Sequence, residues 1–124
     1  MGTLATLDSD GSPRTRAIWH DWSEHGLLLF SATKTRKWQN IVNDARVSLC
    51  VDDSATPYKS VIIDGTAVRR QDQSDLLLPV VLRMAEKYYG MSEGRKFAES
   101  YSTTTEEQVA LFEIYIERVT TQGF

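Results

Sequence analysis

The sequence predicts a mainly β protein, a small antiparallel barrel of six strands with helical insertions, and three observations lead to that fold. First, short runs of strand-forming residues are separated by turn signals, of which Asp10-Gly11 comes first. Second, the hydrophobic period changes from strand-like to helix-like only after residue 35 and after residue 74. Third, residues 1–124 contain no repeat, linker or low-complexity stretch, so we expect a single domain. Short strands with small helices are typical of a closed or split antiparallel barrel.

The first three strands form a meander with short connections. We predict strands at 4–7, 14–22 and 27–32, with turns at DSDGSP (8–13) and SEHG (23–26) between them. The segment 14–22 alternates polar and apolar residues, which is the pattern of a half-buried strand. The segment 27–32 is apolar throughout most of its length and is predicted to be buried.

A helix is predicted next, because the apolar residues recur at the spacing of one helical face. Thr33 or Thr35 can act as its N-cap. The residues of the apolar face are Trp38, Ile41, Val42 and Ala45. A strand follows at 47–51, and a polar loop at 52–58 leads to the next strand.

The second half of the chain contains two further strands and the second helical region. A long strand is predicted at 59–70, with Gly65 marking a bulge or bend. Residues 74–101 are predicted to be helical, starting near Ser74 and interrupted at Gly90. The strict alternation of 109–119 predicts a last strand that is buried on one face.

Composition and charge argue against several classes of function. The net charge of −3 does not favour a nucleic-acid binder, and no apolar run is long enough to cross a membrane. The lone Cys50 lies in an apolar run, which indicates a buried thiol and a cytoplasmic protein. His20 and His25 have no accompanying cluster of ligands, so no metal site is expected. We expect His20 at the surface, while a proton-donor role remains open.

The densest basic cluster, Lys34, Arg36 and Lys37, falls where the first helix begins. A helix start carries a partial positive charge and favours anions, so added cations repel it until a phosphate or carboxylate binds. An anion site and a solvated basic turn are both compatible with this pattern. Arg14 and Arg16 share one face of the neighbouring strand, where they either reach the same anion or form a solvent-facing stripe.

Three segments resemble the split-barrel flavoproteins related to pyridoxamine 5′-phosphate oxidase: LATLDSDGSPRTRAIWHDW, LLLFSATKTRKWQNIVNDARVSLCVDD and PYKSVIIDGTAV. The resemblance covers nearly all of residues 4–70 in order, and FEIYIERV is similar to the last strand of that family. The chain is most like the small oxidoreductases of that superfamily that use FMN or the deazaflavin F420. The resemblance implies a six-stranded split barrel, hydride transfer to or from a small organic substrate, and a homodimer with the cofactor between its subunits.

The resemblance also assigns cofactor-binding residues. Thr35, Arg36 and Lys37 match the segment that holds the cofactor phosphate, and Arg16 matches a basic position of the second strand. The remaining candidates are Ser31 and Thr33 for the phosphate or ribityl chain, Ala17, Ile18 and Trp19 for the ring, and Tyr58 and Ser60 near the flavin, with Tyr58 facing the partner's cofactor. No catalytic side chain is implied.

Departures from the family pattern argue against vitamin B6 synthesis. Ser60 stands where the true oxidases carry a glutamine, Asp21 stands where a lysine is expected, and the C-terminal substrate motif is absent. Two alternatives to an enzyme remain open at this point: a non-catalytic protein that binds or stores a flavin or haem, and a small-barrel nucleic-acid binder, which the acidic net charge disfavours. Neither a nucleic acid nor a membrane is an expected partner.

Overall fold

The computed structural model describes residues 1–124, except for the side chain at position 74. It contains seven strands and three helices. In chain order they are β1 (Gly2–Leu7), β2 (Pro13–Ile18), β3 (Asp21–Trp22), β4 (Gly26–Ala32), α1 (Arg36–Asn43), β5 (Arg46–Asp53), β6 (Lys59–Arg69), α2 (Gln73–Tyr89), α3 (Met91–Glu99) and β7 (Val109–Gln122).

All strands belong to one antiparallel sheet, in the order β2-β1-β5-β6-β7-β4-β3, which curls into a half-barrel. The predicted fold class is therefore confirmed, but the count of six strands is wrong. The predicted strand 14–22 is two strands, because the chain pairs with β1 as far as Ile18 and then crosses to pair with β4 at Asp21. A single straight strand cannot occupy both edges of the sheet, so residues 19–20 make the crossing.

The longest pairing, between β6 and β7, contains the irregularity expected at Gly65. The register shifts between Asp64 and Gly65. A Cβ atom at Gly65 would collide with the backbone carbonyl of Tyr115, so this close approach of two strands requires glycine. Strand β7 continues beyond the predicted 109–119 to Gln122, where its last residues pair with the start of β6.

The helices follow the predicted order with local differences. Thr35 is the N-cap of α1, whereas the sequence had left the choice between Thr33 and Thr35 open. Val42, predicted on the buried face, is 64% exposed. Gly90 separates α2 from α3, as predicted. Its φ of 88° is a backbone conformation that favours glycine. Helix α2 begins at Gln73, and the expectation for the Ser74 side chain lies outside the described residues.

The apolar residues form two clusters on opposite faces of the sheet. The cluster inside the curl contains Trp38 of α1, whose ring lies 5.5 Å from that of Phe112. The other cluster packs α2 and α3 against β4 and β7. Cys50, expected to be buried, is partly exposed. Within the described residues, no helix has both the length and the apolar composition that crossing a bilayer requires.

Candidate functional site

Four cations from two elements border one cleft of about 220 Å³, which we call the basic cleft. Strand β2 contributes Arg14 and Arg16, and the first turn of α1 contributes Arg36 and Lys37. The remaining lining residues are Leu4, Thr6, Thr15 and Thr35. The structure thus brings together four of the predicted cofactor residues: Arg16, Thr35, Arg36 and Lys37.

The register between β1 and β2 places the two arginines over the cleft. Arg16 lies opposite Leu4, and Arg14 lies opposite Thr6. Residues directly opposite in an antiparallel pair point to the same face. Leu4 and Thr6 are buried and form the floor, so the arginines stand along one wall. Because β2 is an edge strand, this wall borders the open end of the sheet.

Thr35 shapes the helix start at the opposite wall. Its hydroxyl accepts a hydrogen bond from the Trp38 amide at 3.3 Å and donates to the Ala32 carbonyl at 2.8 Å. The Ser31 hydroxyl lies 3.0 Å from that of Thr35, so Ser31 supports the cap from behind and does not line the cleft. Among the described residues, the amides of Arg36 and Lys37 have no acceptor, which leaves them available to an anion.

The cations of the basic cleft outnumber the acids that balance them. Asp8 is the acid that pairs with this group: it lies 2.6 Å from Nε of Arg14 and 3.2 Å from Nε of Arg36. Arg16 and Lys37 form no ion pair with any described residue. Burial, and then the nearby Arg16 guanidinium, lower the pKa of Lys37. The excess of three positive charges fits a phosphate group.

The predicted ring-lining residues lie around a second cleft of about 240 Å³, which we call the aromatic cleft. Ala17, Ile18 and Trp19 line it together with Met1, Phe30, Tyr89 and Phe97. The Trp19 ring stacks on Tyr88, with centroids 5.2 Å apart, and contacts three further aromatic rings. The two clefts therefore occupy successive parts of the same segment, residues 14–19.

Three other candidates lie outside both clefts in the single chain. The Thr33 hydroxyl donates to the Glu107 carbonyl. Tyr58 is 70% exposed in the loop before β6, and Ser60 pairs with Asp52 and Gln122 within the sheet. Lys34, the first cation of the basic cluster, is exposed and does not line the basic cleft.

Asp8 and His20 occupy places in the structure that the sequence patterns did not predict. Asp8 directly follows β1 in the hairpin connection, and only the fold shows that it meets α1. His20, expected at the surface, is buried, and its Nδ1 has no partner among the described residues. Burial, followed by the positive charge of Lys87, lowers the pKa of His20. Alternation along 14–22 would place His20 on the same face as the exposed Arg14 and Arg16, so its burial follows from the crossing between β2 and β3, which the sequence pattern did not show.

Asp21 has a structural role, and metal ligands are not assembled among the described residues. The Asp21 carboxylate accepts a hydrogen bond from Arg83 of α2, so this residue joins β3 to the helical layer. No group of three or more His, Cys, Asp or Glu side chains in the described part of the chain is placed to hold a metal ion.

Comparisons with known proteins identify the family and the fold of the chain. The sequence model of the family described as pyridoxamine 5′-phosphate oxidase matches residues 1–123. No curated protein sequence shows a significant match. A conserved hypothetical protein from Mycobacterium tuberculosis is similar in structure, with a TM-score of 0.76 and 25% identity over 97% of this chain and 74% of that chain.

Two further solved structures share the fold. The haem storage protein HutZ from Vibrio cholerae gives a TM-score of 0.77 and 21% identity, over 99% of this chain and 86% of that chain. An F420 reductase gives a TM-score of 0.72 and 22% identity, over 96% of this chain and 87% of that chain. At these identities the likeness establishes the fold.

Proposed function

Since the chain belongs to the pyridoxamine 5′-phosphate oxidase family, we propose that it is an oxidoreductase that binds a flavin with a phosphate-bearing tail, FMN or the deazaflavin F420. When bound, such a cofactor supplies hydride transfer to or from a small organic substrate. The observation that carries the proposal is the basic cleft, where Arg16 of β2 and Lys37 in the first turn of α1 have no acidic partner among the described residues.

The phosphate end of the ligand belongs in the basic cleft. Arg16 and Lys37 provide two charge-assisted hydrogen bonds, each worth about 1.5–3 kcal/mol. The amides of Arg36 and Lys37 at the start of α1 add donors that require no side-chain rearrangement. Thr35 holds this turn in place through its cap, and Ser31 supports Thr35.

The ring end belongs at residues 17–19. Arg16 and Trp19 are three residue steps apart at the end of β2, a span of at most about 10 Å if the chain is extended. A ribityl chain between phosphate and ring runs along this segment. The outer edge of β2 pairs with no strand of the described chain, so its backbone groups are available to the polar edge of a flavin ring. The aromatic side chains around Trp19 shield the ring from water.

A second copy of the chain completes the site in this proposal. The basic cleft of about 220 Å³ is smaller than the 300–1,000 Å³ of typical ligand pockets, so one chain encloses only part of a flavin. Residues 13–17 of β2 are exposed beside it, as an interface strand would be in an isolated chain. Tyr58, exposed in the loop before β6, then reaches the cofactor of the partner subunit.

The alternative of a non-catalytic flavin or haem protein differs in a measurable way. The two histidines, His20 and His25, do not line either cleft. An enzyme turns over NAD(P)H or reduced F420 with simple electron acceptors, whereas a binding or storage protein does not. The structure of HutZ shares the fold, and that likeness alone does not favour haem.

The proposal is tested by titration of the purified protein with FMN and with F420, followed by absorbance and fluorescence. We expect one of them to bind, and we expect Arg16→Ala combined with Lys37→Ala to weaken that binding by at least about 100-fold, since two charge-assisted bonds are lost. Lys34→Ala is the matched control, because Lys34 is exposed outside the cleft, and we expect less than a twofold change.

Two results would contradict the assignment. One is the absence of binding of either cofactor to the wild-type protein. The other is equal affinity in the wild-type protein and the Arg16/Lys37 double variant. Arg36→Ala should have a smaller effect, about tenfold or less, because Asp8 already neutralises part of the Arg36 charge.

A further inference from the structure

We propose that Asp8 is a specificity-determining residue of the basic cleft: its carboxylate selects a cofactor whose tail ends in a single phosphate, such as FMN, over one whose tail carries further anionic groups beyond the phosphate, such as F420. This inference rests on the proposed function and deepens it, since the family assignment leaves the choice of cofactor open.

The Asp8 carboxylate is held in place from both walls of the basic cleft. Arg14 donates to one oxygen at 2.6 Å, and Asn40 of α1 donates to the other at 2.9 Å. Asn40 is itself buried and also donates to Thr6 at 3.2 Å. With its side chain only 10% exposed, Asp8 is held in a fixed position behind Arg14 and Arg36, two of the residues that line the basic cleft.

The carboxylate is charged at neutral pH. The hydrogen bonds from Arg14 and Asn40, followed by the nearby charge of Arg36, hold the pKa of Asp8 below its usual value. Asp8 therefore places a permanent negative charge beside two of the four cations. The pair that it leaves uncompensated, Arg16 and Lys37, is enough for one phosphate.

The position of Asp8 along the strand gives the selectivity. From the aromatic cleft, the order is residues 17–19, then Arg16, then Arg14 and Asp8 next to the hairpin turn. A ligand with its ring at residues 17–19 and its phosphate at Arg16 points any further extension of its tail towards Asp8. FMN ends at the phosphate. The tail of F420 continues with carboxylates, which Asp8 repels and with which it competes for Arg14 and Arg36.

The test compares wild-type protein with Asp8→Asn, which keeps the shape and removes the charge. Asp10→Asn is the matched control, because Asp10 lies in the same hairpin and accepts a hydrogen bond from the Ser12 amide. We expect the wild-type protein to bind FMN more tightly than F420. Asp8→Asn should raise the affinity for F420 relative to FMN by about tenfold or more, whereas Asp10→Asn should change that ratio by less than twofold.

Inorganic phosphate and pyrophosphate separate failure of this inference from failure of the flavin assignment. They probe the cleft with one or two phosphoryl groups and no ring. We expect wild-type affinities within about threefold of each other, and a gain of about tenfold for pyrophosphate relative to phosphate in Asp8→Asn. A gain without flavin binding would keep the role of Asp8 and reject the cofactor.

Three results would overturn the inference. The first is an unchanged ratio of F420 to FMN affinity in a folded Asp8→Asn variant. The second is a wild-type protein that prefers F420 to FMN. The third, which needs no variant and so holds even if Asp8→Asn fails to fold, is a wild-type preference for pyrophosphate over phosphate of more than about tenfold. A purely structural ion pair would change stability in Asp8→Asn and leave both ligand ratios unaltered.

Discussion

The basic cleft and a second charged group, Arg70 with Asp72 and Glu113, differ in their ratio of cations to acids. We call the second group the Arg70 cluster. In the cleft, four cations are accompanied by one acid, Asp8, which pairs with only two of them, Arg14 and Arg36. In the Arg70 cluster, one arginine lies 2.7 Å from Asp72 and 3.0 Å from the fully buried Glu113. The comparison teaches that acids satisfy the Arg70 guanidinium within the fold, whereas Arg16 and Lys37 have no acidic partner among the described residues and remain available to a ligand.

The largest effect on the free energy of unfolding is expected when the ion pair between Arg70 and Glu113 is broken. Arg70→Ala leaves the Glu113 carboxylate buried without its cation and should lower the free energy of unfolding by about 3 kcal/mol or more. Urea denaturation measures this change. Arg46→Ala is the control, since Arg46 pairs with Asp44 at the surface and should cost less than about 1 kcal/mol. Equal losses in the two variants would mean that burial of Glu113 does not distinguish the clusters.

Ligand affinity measured as a function of pH tests the role of Lys37 in the basic cleft. Burial and Arg16 lower the pKa of Lys37 below the ordinary 10.5. Because the anion requires the charged ammonium, affinity is highest below this lowered pKa and falls as the pH rises through it. We expect the affinity to fall at a lower pH than it would if Lys37 had the ordinary lysine pKa of 10.5. Lys37→Arg stays charged throughout and should lose less, which also controls for ionisation of the ligand. Parallel profiles for the two proteins would contradict a role for Lys37.

The smallest effect on the free energy of unfolding is expected at Thr35, the N-cap of α1. Thr35→Ala removes the hydroxyl that accepts from the Trp38 amide and should lower the free energy of unfolding by about 1 kcal/mol. Thr35→Ser retains the hydroxyl and should change it by less than about 0.5 kcal/mol. If both variants unfold at the same urea concentration as the wild type, the cap does not stabilise the wall of the basic cleft.

Local patterns in the sequence were enough to predict most elements of the fold. Turn chemistry at Asp10-Gly11 marked the first hairpin, where the structure connects β1 and β2. The change to helical period after Thr35 marked α1, and Gly90 marked the break between α2 and α3. These features depend on residues that are neighbours in the chain, so they are visible without the fold.

Features that depend on distant pairing were not predictable in the same way. The alternation of 14–22 is the same for one strand or two, and only the pairing partners divide it into β2 and β3. The meeting of Asp8 with Arg36 and Asn40 likewise needs the hairpin to be placed against α1. The cations of the site were therefore found from the sequence, and the acid that limits their excess charge was not.

The most direct test of the central claim compares FMN with riboflavin, which has the same ring and chain without the phosphate. If the unpaired cations of the basic cleft, Arg16 of β2 and Lys37 of α1, hold the phosphate, the wild-type protein should bind FMN at least about 100-fold more tightly than riboflavin in a calorimetric titration. Equal affinities for the two would contradict the account, because the basic cleft would then contribute nothing to binding.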